Sequence, residues 1–438
     1  MCRRGISTFF ILGLVLIQIK AQDTIKSFDD LINQVNQISL TLKNADINLT
    51  QAKREKLAAI YGIVDPTGNL STSFTNNTKL PITLFPGEVN GGEPGTYVPI
   101  KLGIQYVSDQ SVYVDLKILN MEGIADYRLS KINYNLVNTN NKLIKKNLYE
   151  DIALTYYNII TLQLQKKMIN ENIKSAETLY LTVAQKYEQG LVKQQDLNDA
   201  LVNKIKTEKS LNQIDYLLNQ QYLTLKVLCD LPEDKAILIA EQIKLTEQEV
   251  VPVIEKNELQ LLSASLNEKA ARSNYRKSIY AQLPRISIFA SAINQKYDTE
   301  STLFNKELNW IPSNYYGLRI SMPIPTSRGL AQISKTKFDY LEARNNEEQS
   351  RIKYNQEIKN LENDYNKNLS EYKANKRIFE IRKNSYEKNM VNYKEGIISL
   401  SETIISFEEM VNSSFDQISS AVNILLAEEK ININNSIK

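Results

Sequence analysis

Side chains able to do covalent or acid–base chemistry are scarce in this chain, and the scarcity narrows what it can do. There is no histidine among its 438 residues. That removes serine or cysteine nucleophiles activated by imidazole, and the commonest transition-metal ligand with them. Of the two cysteines, Cys2 precedes a long apolar run, and Cys229 sits in the apolar Val227-Leu228-Cys229 stretch, the setting of a small core residue. The acids are spread along helical segments at solvent-face spacing, so no pair stands out for general acid–base work. No Walker loop, dinucleotide glycine fingerprint or cysteine-rich metal site occurs. The chain reads as a non-enzyme with no catalytic, cofactor-binding or metal-binding residues. What it carries instead is one polar motif twice over, Tyr187-Glu188-Gln189-Gly190 and Tyr393-Lys394-Glu395-Gly396, 206 residues apart.

The same offset of 206 relates Gly123 to Gly329, Ala125 to Ala331, Tyr134 to Tyr340 and Asp196 to Glu402. With only 14 glycines in the chain, two glycine pairs of identical 67-residue spacing mark an internal duplication. Each motif ends a very long proline-free segment. In the first arm Leu148, Ile152, Tyr156, Ile159 and Leu162, then Ile169, Ile173, Ala176 and Tyr180, step by three and four on a charged, Asn- and Lys-rich background, which is coiled-coil spacing. Helix over about 121–189 is roughly 100 Å long at 1.5 Å per residue. Gly190 and Gly396 close the arms, and helices return over about 194–228 and 401–429. Asp196 and Glu402 near the new N-termini suit the helix dipole, and Tyr187 and Tyr393 suit interhelical packing.

Residues 1–21 have the form of a secretory signal peptide: Arg3 and Arg4, an apolar run, and Ala21 before Gln22. Its removal takes away Arg3, Arg4 and Lys20 and no acid, leaving 50 Lys and Arg, against 50 Asp and Glu. A neutral chain without a basic block argues against nucleic-acid binding. No later run of 18 or more apolar residues predicts a membrane-spanning helix.

Ser27 is placed as an N-cap with Asp30 at the third helical position, opening a helix to about Ile63. Period-two alternation then predicts strands at about 68–76 and 98–119, around a turn-rich stretch at 76–95. The second half predicts a helix over 257–282 and strands at about 285–296 and 315–325, around a loop carrying Trp310 and Pro312. The domains expected are therefore a first repeat at 22–232, a connecting equatorial segment at 233–256 and a second repeat at 257–438. Four strands with one apolar face each leave edges and that face uncovered. A closed barrel is the strand structure that spans lipid, but the smallest need eight strands. Three copies sharing twelve solve the problem; a soluble sheet packed on its own helices is the other solution.

The chain resembles the TolC family of outer-membrane efflux channels. The resemblance is carried by the Tyr-x-x-Gly tips, the stretch Lys269-Ala-Ala-Arg-Ser-Asn-Tyr-Arg-Lys-Ser-Ile-Tyr-Ala-Gln-Leu-Pro284, the strand Tyr316-Gly-Leu-Arg-Ile-Ser-Met-Pro-Ile-Pro325 and the duplicated halves. It implies a mainly α protein with a small membrane β part: duplicated long coiled-coil hairpins, plus four strands per chain contributing to a trimeric 12-stranded β-barrel. It further implies a homotrimer in the outer-membrane lipid of a Gram-negative bacterium, extending into the periplasm and partnered by a periplasmic adaptor (membrane fusion protein) and an inner-membrane transporter. The function implied is the channel of tripartite efflux or type I secretion; the alternative is a periplasmic coiled-coil adaptor or structural protein of an export system. Adaptor docking falls on Tyr187, Gly190, Leu191, Tyr393, Gly396 and Ile397, and the gate on Asp196, Tyr393, Ile398, Glu402 and Ile405. Ile398 stands where the family has an Arg, and Ile405 where it has an Asp. The expected gate is therefore closed partly by apolar contact around Ile405, with Tyr393 to Asp196 as the remaining polar latch.

Overall fold

The structure is a computed structural model that describes residues 23–240, 252–301 and 310–438. The predicted signal peptide, 241–251 of the connecting segment and 302–309 of the second strand–strand loop lie outside the described residues. In chain order the elements are β1 (Asp23–Ile25), α1 (Phe28–Ile38), α2 (Leu40–Val64), β2 (Thr67–Asn76), β3 (Ile82–Pro86), β4 (Tyr97–Lys101), β5 (Tyr106–Leu119), α3 (Met121–Glu188) and α4 (Gln194–Leu228). There follow β6 (Ile237–Ile239), α5 (Leu259–Tyr280), β7 (Arg285–Asp298), β8 (Ile311–Ser321), α6 (Ser327–Lys394) and α7 (Leu400–Ser436). Two compact units form. One comprises the described residues up to Ala45 with Lys142–Glu258 and Tyr354–Lys438; the other comprises Asp46–Asn141 and Leu259–Lys353.

The duplication is built into the element ends. Helices α3 and α6 have 68 residues each, and both they and α4 and α7 start 206 positions apart. Upstream the offset changes. Thr67 pairs with Asp115 and Arg285 with Ser321, so the later partners are still 206 apart but the earlier ones 218, and the first loop carries 12 additional residues. They are accommodated by the β3–β4 hairpin, in which Ile82 pairs with Lys101 and Pro86 with Tyr97. The single strand expected at 98–119 is thus two, β4 and β5, interrupted where Gly103 takes φ +124°. Pairing is also displaced by one residue there: Asn77 and Gln105 continue the β2–β5 ladder, whereas Leu102 N–H bonds to Pro81 O on the new one.

In the second unit, β2, β5, β7 and β8 form one antiparallel sheet in that order, with β2 and β8 as its edges. Side chains alternate between faces, and register keeps even-numbered residues together: Val114, Ala290 and Tyr316 share a row, and Leu116, Ile288 and Leu318 the next. A bulge at Lys117–Leu119 ends the β5–β7 ladder next to α3. Strand β8 starts earlier than expected and contains Pro312, which an edge strand tolerates because no ladder bond is demanded of its nitrogen; 322–325 lie beyond it. At the start of β2, Asp65 takes φ +41° ahead of Pro66 and pairs with Lys117. The duplicated tyrosines of the long helices serve the same purpose twice. Lys56 of α2 lies over Tyr134 at 5.0 Å, and Tyr275 of α5 stacks on Tyr340 with centroids 6.5 Å apart.

In the first unit the predicted N-cap is present, Ser27 Oγ accepting Asp30 N–H at 3.2 Å, and α1 buries Phe28, Leu31 and Val35. The helix expected to run on to Ile63 breaks at Ser39. Asp230, held at φ +53°, accepts Leu40 N–H at 2.8 Å and the Ser39 hydroxyl at 3.2 Å, capping α2 from 190 residues away. The connecting segment expected at 233–256 contains β6, which pairs in parallel with β1. Helix α7 runs past the expected end at 429 because its polar tail has partners. Asn434 donates to Glu255 O at 2.9 Å, Asn435 donates to Val253 O at 2.8 Å, and Glu255 N–H returns a bond to Asn435 Oδ1.

Candidate functional site

Both tip motifs close their helices in the same way. At the first, Gly190 takes φ +71°, its N–H bonds to Tyr187 O at 2.9 Å and Leu191 N–H reaches Lys186 O at 2.8 Å. At the second, Gly396 takes φ +79°, with Gly396 to Tyr393 O at 3.1 Å and Ile397 to Asn392 O at 2.9 Å. These are Schellman closures, and they require glycine for the left-handed backbone alone, since a Cβ at either position would meet nothing within 4 Å. The next helices are capped at once. Asp196 accepts Lys193 N–H at 2.9 Å; Ser399 and Glu402 form a reciprocal capping box, Glu402 N–H to Ser399 Oγ at 3.3 Å and Ser399 N–H to Glu402 Oε2 at 3.0 Å.

Between the two tips the first unit holds a small core of Leu179, Val183, Ala200, Tyr393 and Leu400, with Ile398, Val192 and Leu197 packed against it. Lys186 ties the hairpins together: its Nζ donates to Tyr393 O at 2.7 Å and lies 4.5 Å from the centre of the Tyr393 ring. A cleft of about 530 Å³ beside this core is lined by Lys186, Asp196, Tyr393, Ile398 and Ser399, among others.

The structure therefore brings together Asp196, Tyr393 and Ile398, but not in the arrangement expected. Tyr393 is 4 % exposed and its hydroxyl has no hydrogen-bond partner among the described residues. Burial, reinforced by the charge of Asp196, raises its pKa above the ordinary value. The Tyr393–Asp196 latch is not formed: the Tyr393 hydroxyl has no partner among the described residues, and Asp196 Oδ2 accepts Lys193 N–H at the cap of α4. Glu402 is likewise engaged by its own helix. Ile405 is 53 % exposed and stands outside the tip core, so Ile398 is the apolar gate candidate that packs within the chain. Leu191 and Ile397 project outward at the two turns, and Tyr187, unlike its repeat partner Tyr393, is exposed.

One feature behind the tips escaped the sequence reading. On α6 aromatic residues recur every seven positions: Tyr365, Tyr372, Phe379, Tyr386 and Tyr393. Hydrogen bonds from Arg382 to Glu409, Asn375 to Asp416 O and Asn368 to Asn423 O set the α6–α7 register. This places the first four level with Ala427, Ser420, Ser413 and Ser406, a heptad of small buried residues on α7. Each serine turns its hydroxyl back onto its own helix, Ser406 to Thr403 O and Ser413 to Met410 O at 2.9 Å, Ser420 to Gln417 O at 3.0 Å. Tyr386 meets Phe407 edge-on at 5.3 Å, and burial pushes its phenol up to about 12. The signal was a period-seven aromatic stripe on a helix otherwise too polar to draw notice.

No protein-family model matches the chain, and no curated protein matches it by sequence. Solved structures match along nearly its whole length. The outer membrane protein VceC of Vibrio cholerae has a TM-score of 0.77 at 15 % identity, over 93 % of this chain and 95 % of that one. The Campylobacter jejuni CmeC outer membrane channel has 0.70 at 15 % identity, over 93 % and 85 %. The Neisseria gonorrhoeae MtrE outer membrane channel, in its open state, has 0.70 at 14 % identity, over 94 % and 88 %. The chain has the fold of these proteins.

Proposed function

We propose that this chain is one of three subunits of an outer-membrane channel serving tripartite efflux or type I secretion. The observation that carries the reading is the sheet β2–β5–β7–β8, set in a chain with the fold of VceC and CmeC. Its even-numbered face is apolar and open over 112–118 of β5, 286–292 of β7 and 316–320 of β8, with Tyr316 at 87 %, Leu318 at 60 % and Ile320 at 67 % exposure. The odd face carries Tyr113, Asp115, Lys117, Ser287 and Arg319. Both edge strands are exposed. No helix among the described residues is long and apolar enough to cross a membrane. Four strands cannot close a membrane barrel; twelve from three copies can, with the even face toward lipid and the odd face lining the lumen.

On this reading Tyr187, Gly190, Leu191, Gly396 and Ile397 form the surface for a periplasmic adaptor that couples the duct to an inner-membrane transporter, and Tyr393, buried at 4 % exposure, supports that surface from the core beneath it. Gating falls to Tyr393 and Ile398 within the chain and to Ile405 against a neighbouring copy, with Asp196 and Glu402 holding the helix starts that frame them. The chain does no covalent chemistry. The test is purification from the outer-membrane fraction and reconstitution in planar bilayers. Discrete conductance steps are expected; a protein that stays in the soluble fraction and gives no steps would refute the proposal.

A further inference from the structure

On the odd face of the sheet, three aromatic side chains and one arginine make a platform that neither the fold nor the gate requires. Phe289 lies over Gly317, its partner across β7–β8, where any Cβ would come within 2.8 Å of the ring; glycine is what lets the ring lie flat on the sheet. Tyr113 stacks beside it with centroids 6.3 Å apart, and Tyr315 meets it edge-on at 6.2 Å. Arg319 covers the Phe289 ring at 4.6 Å.

The polar atoms of the platform are ordered in one direction. Arg319 Nη1 donates to the Tyr113 hydroxyl at 2.8 Å, and that hydroxyl donates to Asp115 Oδ2 at 3.2 Å, where Ser287 donates as well at 3.0 Å. The Asp115 carboxylate, 12 % exposed, is therefore satisfied by two hydroxyls, while its contact with Arg319 is a loose 3.5 Å. Arg319 is half exposed, and both of its contacts use Nη1. Among the described residues its Nη2 and Nε have no partner, leaving donors in a planar fork beside exposed ring surface, the geometry that receives a carboxylate, sulfonate or phosphate. At the platform itself the charge that shows is that of Arg319, since Asp115 is 12 % exposed, and what surrounds it is aromatic.

We infer that the Tyr113–Phe289–Tyr315 platform with Arg319 is a cargo-contact site for planar aromatic compounds bearing an anionic group. The inference rests on the channel reading, which turns the odd face toward the lumen. Stacking would hold the ring system and the free side of Arg319 the anion.

The probes are naphthalene-2-sulfonate and a naphthyl trimethylammonium of the same size, added to the reconstituted trimer while conductance is recorded. The sulfonate is expected to block at lower concentration than the ammonium. Arg319→Gln is expected to weaken the sulfonate block roughly threefold to tenfold and to strengthen the ammonium block, because the repelling charge is gone. Phe289→Leu, which keeps apolar bulk but removes the ring, is expected to weaken the sulfonate block while single-channel conductance is retained. Equal block by the two probes in the natural protein, or a sulfonate block indifferent to Arg319→Gln, overturns the inference while leaving the channel intact. Absence of any conductance would remove the channel reading and the inference with it.

Discussion

Tyr393 offers a test in which two substitutions should move in opposite directions. Its hydroxyl is buried without a partner, and its ring packs on Leu179, Val183, Ala200 and Leu400 beneath Lys186. Tyr393→Phe keeps the ring, the packing and the cation–π contact, and removes only a hydroxyl whose burial is uncompensated. Relief of about 1 to 3 kcal/mol is the upper range for such a group, and about 1 kcal/mol is the expected gain. Tyr393→Ala loses the ring and leaves a cavity, costing about 3 to 5 kcal/mol, with a further ~0.5–2 kcal/mol from the lost Lys186 contact. The assay is denaturant unfolding of the detergent-solubilised chain followed by helical circular dichroism. Phe at or above the natural protein, with Ala far below, is the expected order. If Phe were destabilised by about 1 kcal/mol or more, the hydroxyl would have to be bonded, and an unpartnered buried hydroxyl at Tyr393 would be refuted.

The remaining predictions draw on other parts of the chain. Gly190→Ala and Gly396→Ala should each cost about 1–2 kcal/mol, because the left-handed backbone is the only thing glycine supplies there; thermal unfolding of the single variants measures it. Asp230→Ala should cost about 1–2 kcal/mol by uncapping α2 at Leu40, and amide exchange at the start of α2 should rise with it. Burial raises Glu428 above its ordinary 4.5, against the opposing hydrogen bond from Tyr365. The folded chain therefore holds that proton more tightly than the unfolded one. The associated stability is present below pH 4.5 and is lost as pH rises through the folded value, so Glu428→Gln should flatten stability across that interval. Burial pushes the Cys229 thiol up to about 12, so a thiol reagent at neutral pH should label it only after denaturant is added.

Local and repeated features were legible in the sequence; features that depend on a distant partner were not. Helix α4 spans Gln194–Leu228, the range expected for the returning helix, because Gly190 and Pro232 bracket it. The 206-residue offset survives in the helix starts because the arms tolerate no insertion. The break at Ser39 was hidden because its cause is Asp230, far along the chain. The β3–β4 hairpin was hidden because period-two alternation reads straight through the interruption at Gly103, and only pairing reveals the one-residue displacement. At the tips the motif glycines were readable from backbone need alone. The expected Tyr393–Asp196 latch failed because spacing cannot say that a carboxylate three residues into a helix prefers its own cap.

The central claim is that three copies share one barrel, and the mass of the particle extracted in mild detergent tests it most directly. Light scattering corrected for bound detergent should give three chains per particle from the outer-membrane fraction. A soluble single chain would contradict the shared barrel and the channel built on it.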